Sequence, residues 1–136
     1  MKISYFEDIV DTHERIEVID ITDRLKKIID KEKIKEGIMV ISVPHTTSAI
    51  SINENEPNLI NDIIKIIKDL FKPDFLWNHN KIDDNAHAHL ASVFIGNSRC
   101  VIIKDSRLSL GTWQRVLLIE LDGPRRRRLE IEIIGE

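Results

Sequence analysis

The sequence has little of what several protein classes require. It contains one cysteine, Cys100, in 136 residues, which excludes an internal disulfide and a cysteine-based zinc cluster. No run of residues approaches the ~18 apolar residues of a membrane-spanning helix, and the first ten residues lack the apolar core of a signal peptide. We therefore expect a soluble, cytoplasmic protein without a membrane partner.

The chain also lacks a basic excess and is poor in glycine. Its net charge is −3, from 20 basic and 23 acidic residues, and this balance argues against a nucleic-acid partner. Charged residues make up 32% of the sequence, above the usual ~25%. With abundant isoleucine and only five glycines, this composition hints at a heat-adapted source. The length predicts a single domain over residues 1–136.

Hydrophobic patterning predicts about seven strands and two long helices. The strands are predicted over 3–10, 14–21, 38–43, 49–55, 99–104, 114–121 and 127–134. One helix starts at Thr22 or Asp23, and the second covers 58–71 with Pro57 in its first turn. The short links favour antiparallel pairing, so the fold class is α+β. Cys100 falls in the apolar run "RCVIIK", which predicts a buried strand and an inert thiol.

The segment "DDNAHAHLAS" (83–92) places two histidines behind two aspartates. In a strand His87 and His89 would face the same way, whereas in a helix they point to nearly opposite sides. Asn85 is a good helix N-cap and Gly96 is a typical stop, so a third, short helix is favoured over a metal-binding strand. His89 then shares a face with Asn85, and at most one of the two histidines enters a single site. Both histidines could also be surface or packing residues only.

Polar residues follow the predicted strand over 38–43. The motif "HTTS" consists of His45, Thr46, Thr47 and Ser48. These side chains could cap backbone groups at a strand break, ligate a phosphate or position a water.

A second polar motif, "NEN", contains Asn53 and Glu54 and lies just before the second long helix, where helix capping is the alternative to a functional role. His79 lies in the long loop over 73–84. Together with His45 and His89 it could complete a three-histidine metal site, because three protein ligands and an open position are typical of catalytic zinc.

Two motifs near the C-terminus also suggest ligand contacts. Trp113 of "LSLGTWQR" could belong to the core or form a wall for a flat ligand, and Gln114 could be a surface residue. The run "DGPRRRR" places four arginines in succession. In a strand Arg125 and Arg127 face one way and their neighbours the other, so one pair could bind phosphate. The alternative is a solvated edge strand whose charges prevent aggregation.

The motifs "HTTSAISINENEP", "NAHAHL", "LGTWQ" and "DGPRRR", in this order, resemble the YjbQ-like family. The resemblance covers nearly the whole chain. It implies an α+β fold of mixed, largely antiparallel sheets packed as a sandwich, and a homotrimer with a polar pocket at a subunit boundary. Members of the family are named secondary thiamine-phosphate synthase enzyme. The implied reaction is a weak, promiscuous joining of a pyrimidine pyrophosphate and a thiazole phosphate, with release of pyrophosphate.

The residue patterns and the resemblance together indicate three groups of candidate site residues. The catalytic group is Asn53, Glu54, Trp113 and Gln114; the metal ligands are His45, His79 and His89; the substrate and anion group is Thr46, Thr47, Ser48, Arg125 and Arg127. The implied cofactor is a divalent metal ion, zinc or magnesium, and the implied partner is a small phosphorylated molecule. A metal-dependent phosphate-ester hydrolase and a non-catalytic trimeric ligand-binding protein are the alternatives.

Overall fold

A computed structural model describes all 136 residues as two antiparallel sheets and three α-helices. The strands are β1 (Lys2–Asp11), β2 (Glu17–Asp20), β3 (Gly37–Ser42), β4 (Ser48–Asn53), β5 (Ser98–Lys104), β6 (Arg107–Leu108), β7 (Arg115–Glu120) and β8 (Arg126–Gly135). The helices are α1 (Thr22–Glu32), α2 (Pro57–Leu70) and α3 (Ala86–Ile95), and a single 3₁₀ turn covers Asn78–Lys81. The predicted α+β class is confirmed. Every strand pair is antiparallel, so no parallel component is present.

The chain alternates between the two sheets. The large sheet has the order β1-β8-β3-β5-β6, and the small sheet has the order β2-β7-β4. The expected pairing of successive strands is wrong for three of the four short links, because β1 and β2, β3 and β4, and β7 and β8 lie in different sheets. Only β5 and β6 are successive and paired. The short links therefore serve as connections between layers.

The main core lies between the sheets. Alternate residues of β3, β5 and β8 point inward, and they meet the inner face of the small sheet and the apolar side of α1. Representative members are Met39, Ile131, Leu118, Leu25 and Ile29, each at most 2% exposed. The helical spacing predicted for α1 thus faces the core, as the sequence pattern indicates.

Helices α2 and α3 cover the outer face of the small sheet. Ile67 of α2 and the small residues Ala88 and Ala91 of α3 pack on Ala49 and Ile119. None of the helices is both long and apolar enough to cross a membrane. The small sheet is therefore covered on both faces, whereas the large sheet has one face without a covering layer in the single chain.

That uncovered face is apolar at one end. Ile38 pairs with Ile102 on one side and with Ile134 on the other, and Ile134 pairs with Ile3, so four isoleucines form one row across four strands. Cys100 lies on the same face and is exposed. The prediction that Cys100 is buried is wrong, because Val101 and Ile103 occupy the inward positions of β5.

Local chemistry explains how the helices begin and end. Pro57 occupies the first turn of α2, and the side chain of Glu56 at the N-cap accepts a hydrogen bond from the Leu59 N–H at 2.6 Å. Helix α3 confirms the helical interpretation of "NAHAHL", and Gly96, with φ of 97°, ends it. Asn85 occupies the N-cap position, but its side chain makes no capping bond.

Candidate functional site

A polar cavity of about 760 Å³ opens at one end of the molecule, and none of its lining residues is hydrophobic. The lining residues are Pro44, His45, Thr46, Thr47, Asp83, Asn85, His89, Pro124, Arg125, Arg126 and Arg127. Three chain segments supply them: the link between β3 and β4, the start of α3 with the preceding loop, and the turn leading into β8. The cavity therefore gathers residues that are far apart in the sequence.

Arg127 is the most deeply placed cation of the cavity. It occupies an inward position of β8, 3% exposed, and its guanidinium pairs with Glu120, which is 0% exposed. Nε donates to Glu120 Oε1 at 2.9 Å, and Nη2 donates to Glu120 and to the carbonyl and hydroxyl oxygens of Thr47. The hydroxyl of Thr12 also donates to Glu120, at 2.6 Å. This buried network leaves only Nη1 of Arg127 without a partner in the chain.

Asp122 organises the neighbouring part of the cavity. Its carboxylate accepts hydrogen bonds from Asn85 Nδ2 at 2.9 Å and from Arg125 Nη2 at 3.0 Å, and it pairs with Arg15 at 3.1 Å. Burial raises the pKa of Asp122, but the hydrogen bonds from Asn85 and Arg125 and the charge of Arg15 outweigh it and hold that pKa below its ordinary value. Two arginines thus share the Asp122 carboxylate, and Asp83, which also lines the cavity, acts on Arg125 through its charge.

The arginine run alternates as predicted once β8 begins. Arg127 is buried, whereas Arg126 and Arg128 point outward and pair with Asp11 and Glu7. The alternative of a solvated edge strand is wrong, because β8 lies between β1 and β3. Each of the four arginines has an acidic partner, so the run is largely charge-compensated and not a free cationic cluster.

His45 holds a fixed position at the cavity wall. Its Nε2 accepts a hydrogen bond from the backbone N–H of Arg128 at 2.9 Å. Burial lowers the pKa of His45, and the charges of Arg127 and Arg128 lower it further against the opposing influence of Glu120. The ring is therefore neutral at neutral pH.

The other two histidines proposed as metal ligands lie side by side. The ring centroids of His79 and His89 are 4.7 Å apart in an edge-to-face arrangement. His79 Nε2 lies 3.2 Å from Asn85 Oδ1. Since the amide nitrogen of Asn85 donates to Asp122, its oxygen faces His79 and accepts from the ring N–H. His89 lines the cavity and His87 does not, as the helical spacing predicts.

The single chain does not assemble the expected three-histidine metal site. No three side chains among its histidines, cysteines, aspartates and glutamates converge closely enough to hold a metal ion. The Nε2 lone pair of His45 is already used by a backbone N–H, and a metal requires a free nitrogen lone pair. The residues of one chain therefore do not fit a His45–His79–His89 centre.

His87 is a packing residue. It is 4% exposed on α3, and its Nδ1 is buried without a hydrogen-bond partner. Ser48 is also fully buried, its Oγ is unpartnered, and it does not line the cavity. Of the "HTTS" motif, only His45, Thr46 and Thr47 reach the cavity, because Ser48 begins β4 and packs beneath α3, where Ser92 Oγ donates to its carbonyl oxygen.

The four residues proposed as catalytic lie elsewhere in the single chain. Asn53 ends β4 opposite Arg115, and Ser48 begins the same strand opposite Glu120. At ~3.3 Å per residue, the strand separates Thr47 from Glu54 by about 23 Å. Glu54 and Trp113 line a second cavity of about 390 Å³ with Asp20 and Arg115, and Gln114 Oε1 accepts from the Gly111 N–H at 2.8 Å. The proposed site residues therefore fall at opposite ends of the small sheet.

Sequence reasoning missed the residues beneath the cavity. Glu120 and Asp122 hold the two arginines, Asn85 links Asp122 to His79, and Arg15 and Thr12 complete the arrangement. Glu120 gave one usable signal, since a lone carboxylate in the apolar run "VLLIEL" predicts a buried partner. Nothing in the sequence indicated the contacts of Arg15 and Thr12.

The fold and cavity define a class of α+β proteins in which two antiparallel sheets support a polar site at one end. The family model described as UPF0047 protein YjbQ-like matches residues 7–136. The chain belongs to this family, which confirms the resemblance. It is 43% identical over 128 residues to a UPF0047 protein of Methanocaldococcus jannaschii, covering 93% of this chain and 91% of that protein. The UPF0047 protein YugU of Bacillus subtilis is 35% identical over 130 residues, covering 93% of this chain and 96% of that protein.

Solved structures show the same architecture. A YbjQ-like protein of unknown function from Sulfolobus solfataricus P2 superposes with a TM-score of 0.97 at 45% identity, covering 99% of both chains. A hypothetical protein from Aeropyrum pernix K1 superposes with a TM-score of 0.93 at 43% identity, covering 100% of both chains. The two-sheet fold is thus that of its relatives.

Proposed function

We propose that the polar cavity binds the phosphate groups of a small phosphorylated molecule, and that the protein is an enzyme resembling a secondary thiamine-phosphate synthase. One observation carries the proposal: a cavity of about 760 Å³ without a hydrophobic lining residue gathers Arg125 and Arg127, two histidines and two threonines, against a single lining carboxylate, Asp83. Arginine donates paired hydrogen bonds to phosphate oxygens, and such charge-assisted bonds are stronger than neutral ones.

The chain's own residues can support the departure of a diphosphate. In the proposed reaction the thiazole nitrogen forms a bond to the methylene carbon of the pyrimidine, and the bond from that carbon to the diphosphate oxygen breaks. The diphosphate leaves with the electron pair, so negative charge develops on its oxygens. In this proposal, Arg125 and the free Nη1 of Arg127 stabilise that charge. The step requires no general base.

A divalent metal, zinc or magnesium, remains a prediction from the family resemblance, and we assign it no step. The thiazole nitrogen becomes cationic as it reacts, and an exposed Trp113 beside Glu54 suits a cationic ring. Glu54 lies about 23 Å from Thr47 along β4, and Trp113 lines the same cavity as Glu54. We therefore propose that a neighbouring copy in a homotrimer brings its Trp113 end to this cavity.

Mixing two variants tests this division of the site. Arg125→Ala removes a cavity cation, and Glu54→Gln changes the opposite end. Each variant alone should be inactive in forming thiamine phosphate. After unfolding and refolding together in equal amounts, about a quarter of the sites should combine two intact halves. Recovery of activity supports a shared site, and no recovery with intact trimers would contradict it.

Anion binding is tested separately by calorimetric titration with pyrophosphate. Arg125→Ala should weaken binding about tenfold or more, because a charge-assisted hydrogen bond contributes on the order of 1.5–3 kcal/mol. Arg128→Ala is the matched control, since Arg128 pairs with Glu7 at the surface and does not line the cavity. Equal, small, salt-sensitive losses in both variants would indicate a diffuse surface effect.

Product analysis separates the alternatives. Thiamine phosphate with pyrophosphate indicates the synthase, and inorganic phosphate released from a phosphate ester indicates the hydrolase. Tight pyrophosphate binding without turnover of either substrate indicates a trimeric ligand-binding protein.

A further inference from the structure

His45 sits where the pairing of two strands of the large sheet stops. Strand β3 pairs with β8 as far as Ser42 and Glu130. Beyond Ser42 the chain leaves β8: the Val43 N–H donates to the Asn97 carbonyl, and residues 43–46 make no backbone hydrogen bond to β8. The backbone N–H of Arg128, two residues beyond the last pair, is instead bonded to His45 Nε2 at 2.9 Å. The imidazole thus replaces the missing strand partner.

This hydrogen bond determines which ring nitrogen carries the proton. A nitrogen that accepts from an N–H must present a lone pair, so Nε2 is unprotonated. A neutral imidazole has one proton, which must then reside on Nδ1. Burial and the adjacent Arg127 and Arg128 favour the neutral ring by lowering the pKa of His45. The backbone therefore holds His45 in the Nδ1–H tautomer.

The Nδ1–H group is available to a ligand. His45 lines the polar cavity together with Arg125 and Arg127. Nδ1 makes no hydrogen bond within the chain, and it is not among the buried polar atoms that lack a partner. An N–H donor in a cavity that also contains arginines can donate a hydrogen bond to the oxygen of a bound anion.

We propose that His45 is a hydrogen-bond donor, through Nδ1–H, to a phosphate or diphosphate oxygen, and that it is not a metal ligand. The inference rests on the proposed anion site and gives His45 a role opposite to the one the family resemblance implies. A metal ligand must offer a lone pair to the cavity, whereas this ring offers a proton.

The first test reads the tautomer directly in the free protein. With ¹⁵N-labelled histidine, long-range ¹H–¹⁵N spectra at neutral pH should give His45 a pyrrole-type shift at Nδ1 and a pyridine-type shift at Nε2. Addition of zinc should leave both shifts unchanged. A pyridine-type Nδ1, or a zinc-induced change at either nitrogen of His45, would overturn the inference.

The second test uses two variants that differ in the hydrogen-bond donor. The amide nitrogen of His45→Asn occupies the place of Nδ1 and keeps the donor, whereas His45→Leu has similar bulk and no hydrogen-bonding group. Pyrophosphate should bind His45→Asn within about threefold of wild type, and His45→Leu about tenfold more weakly. Wild-type affinity in His45→Leu would overturn the donor role, whatever the stability of His45→Asn.

Different results would overturn the anion site and the donor role of His45. A wild-type protein that binds no pyrophosphate would overturn the anion site and the donor role with it. A wild-type protein that binds pyrophosphate, combined with a pyridine-type Nδ1, would overturn only the role given to His45.

Discussion

At the scale of single residues, we expect the stability of the fold to be most sensitive to substitutions in the Arg127–Glu120 pair. Both side chains are almost fully buried, and Glu120 accepts from Arg127 and from Thr12. Glu120→Gln keeps the shape but leaves a buried guanidinium without its counter-charge. Since breaking a buried ion pair costs about 3–5 kcal/mol, we expect a loss of that order in the free energy of unfolding, measured with urea.

Glu130→Gln provides the control for Glu120→Gln. It makes the same chemical change in a partly exposed carboxylate, 3.9 Å from Arg128, where an ion pair contributes about 0–1 kcal/mol. Similar losses in the two variants would contradict the importance assigned to burial.

The buried His87 should make the stability of the fold depend on pH. Burial lowers its pKa, Arg15 lowers it further, and Asp122 and Asp84 oppose this shift. Below its ordinary pKa of about 6.5, the unfolded chain binds a proton that the folded state resists. The free energy of unfolding should therefore fall as the pH drops from 7 to 5, by at most about 1.4 kcal/mol per pH unit from this group.

Substitution of His87 by leucine checks that dependence. His87→Leu removes a buried nitrogen without a partner and should reduce the slope of stability against pH between 7 and 5. His45, whose pKa is also lowered, should supply part of the remaining slope. An unchanged slope in thermal or urea unfolding would show that His87 does not contribute.

At the scale of elements, the start of α2 depends on one side chain. Glu56 accepts the Leu59 N–H, and Pro57 supplies the backbone geometry of the first turn. Glu56→Ala should cost about 1 kcal/mol, as is usual for loss of an N-cap, and urea unfolding would measure it. Glu56→Asp, which keeps a capping carboxylate, should retain most of the stability; equal losses would point to a role other than capping.

Helix α3 determines which of its two histidines reaches the cavity. Its 3.6-residue period sends His89 toward the cavity and His87 into packing, which is the division predicted from spacing. Asn85, expected to cap the helix, instead connects Asp122 and His79. Local propensity thus predicted the helix correctly. The side chain of Asn85 does not cap the helix, because it bonds to Asp122, a carboxylate far away in the sequence.

At the scale of the whole molecule, the uncovered face of the large sheet predicts self-association. Strands β3 and β5 carry the nearly continuous apolar runs that are typical of strands buried on both faces, yet Ile38, Ile102 and Ile3 are 39%, 60% and 68% exposed. Strands β1, β3, β5 and β8 have 10, 6, 7 and 10 residues and present a plane of about 500 Å², roughly two-thirds of the ~800 Å² per partner of a stable interface. We therefore propose that this face and the cavity together form one side of each contact in the homotrimer, and that the Trp113 end of the next copy forms the other side.

Light scattering tests the proposed contact. The wild-type protein should give about three times 15.8 kDa, and Ile38→Glu/Ile102→Glu should give monomers because it buries charges in the contact. Leu76→Glu is the control, since Leu76 is 95% exposed in the loop after α2. Dissociation by Leu76→Glu alone would place the contact on the helical side, and a wild-type monomer would exclude the trimer.

Local sequence patterns specified the helices, most of the strands and many of the residues that line the cavity. Periodicity of apolar residues, with Pro57 and Gly96 as boundaries, was enough to identify three helices and seven of the eight strands, because these signals act over a few residues. The motifs also identified His45, His89, Arg125 and the two threonines that line the cavity.

The folded chain was needed to show which strands pair and which polar residues meet. Pairing depends on contacts between distant segments, so β1 lies beside β8 and not beside β2. The roles of Glu120 and Asp122, the split between the two ends of β4, and the proton position on His45 follow from that pairing. A sequence motif specifies which side chains are present, whereas burial and neighbouring groups determine the charge and hydrogen-bonding state in which each can act.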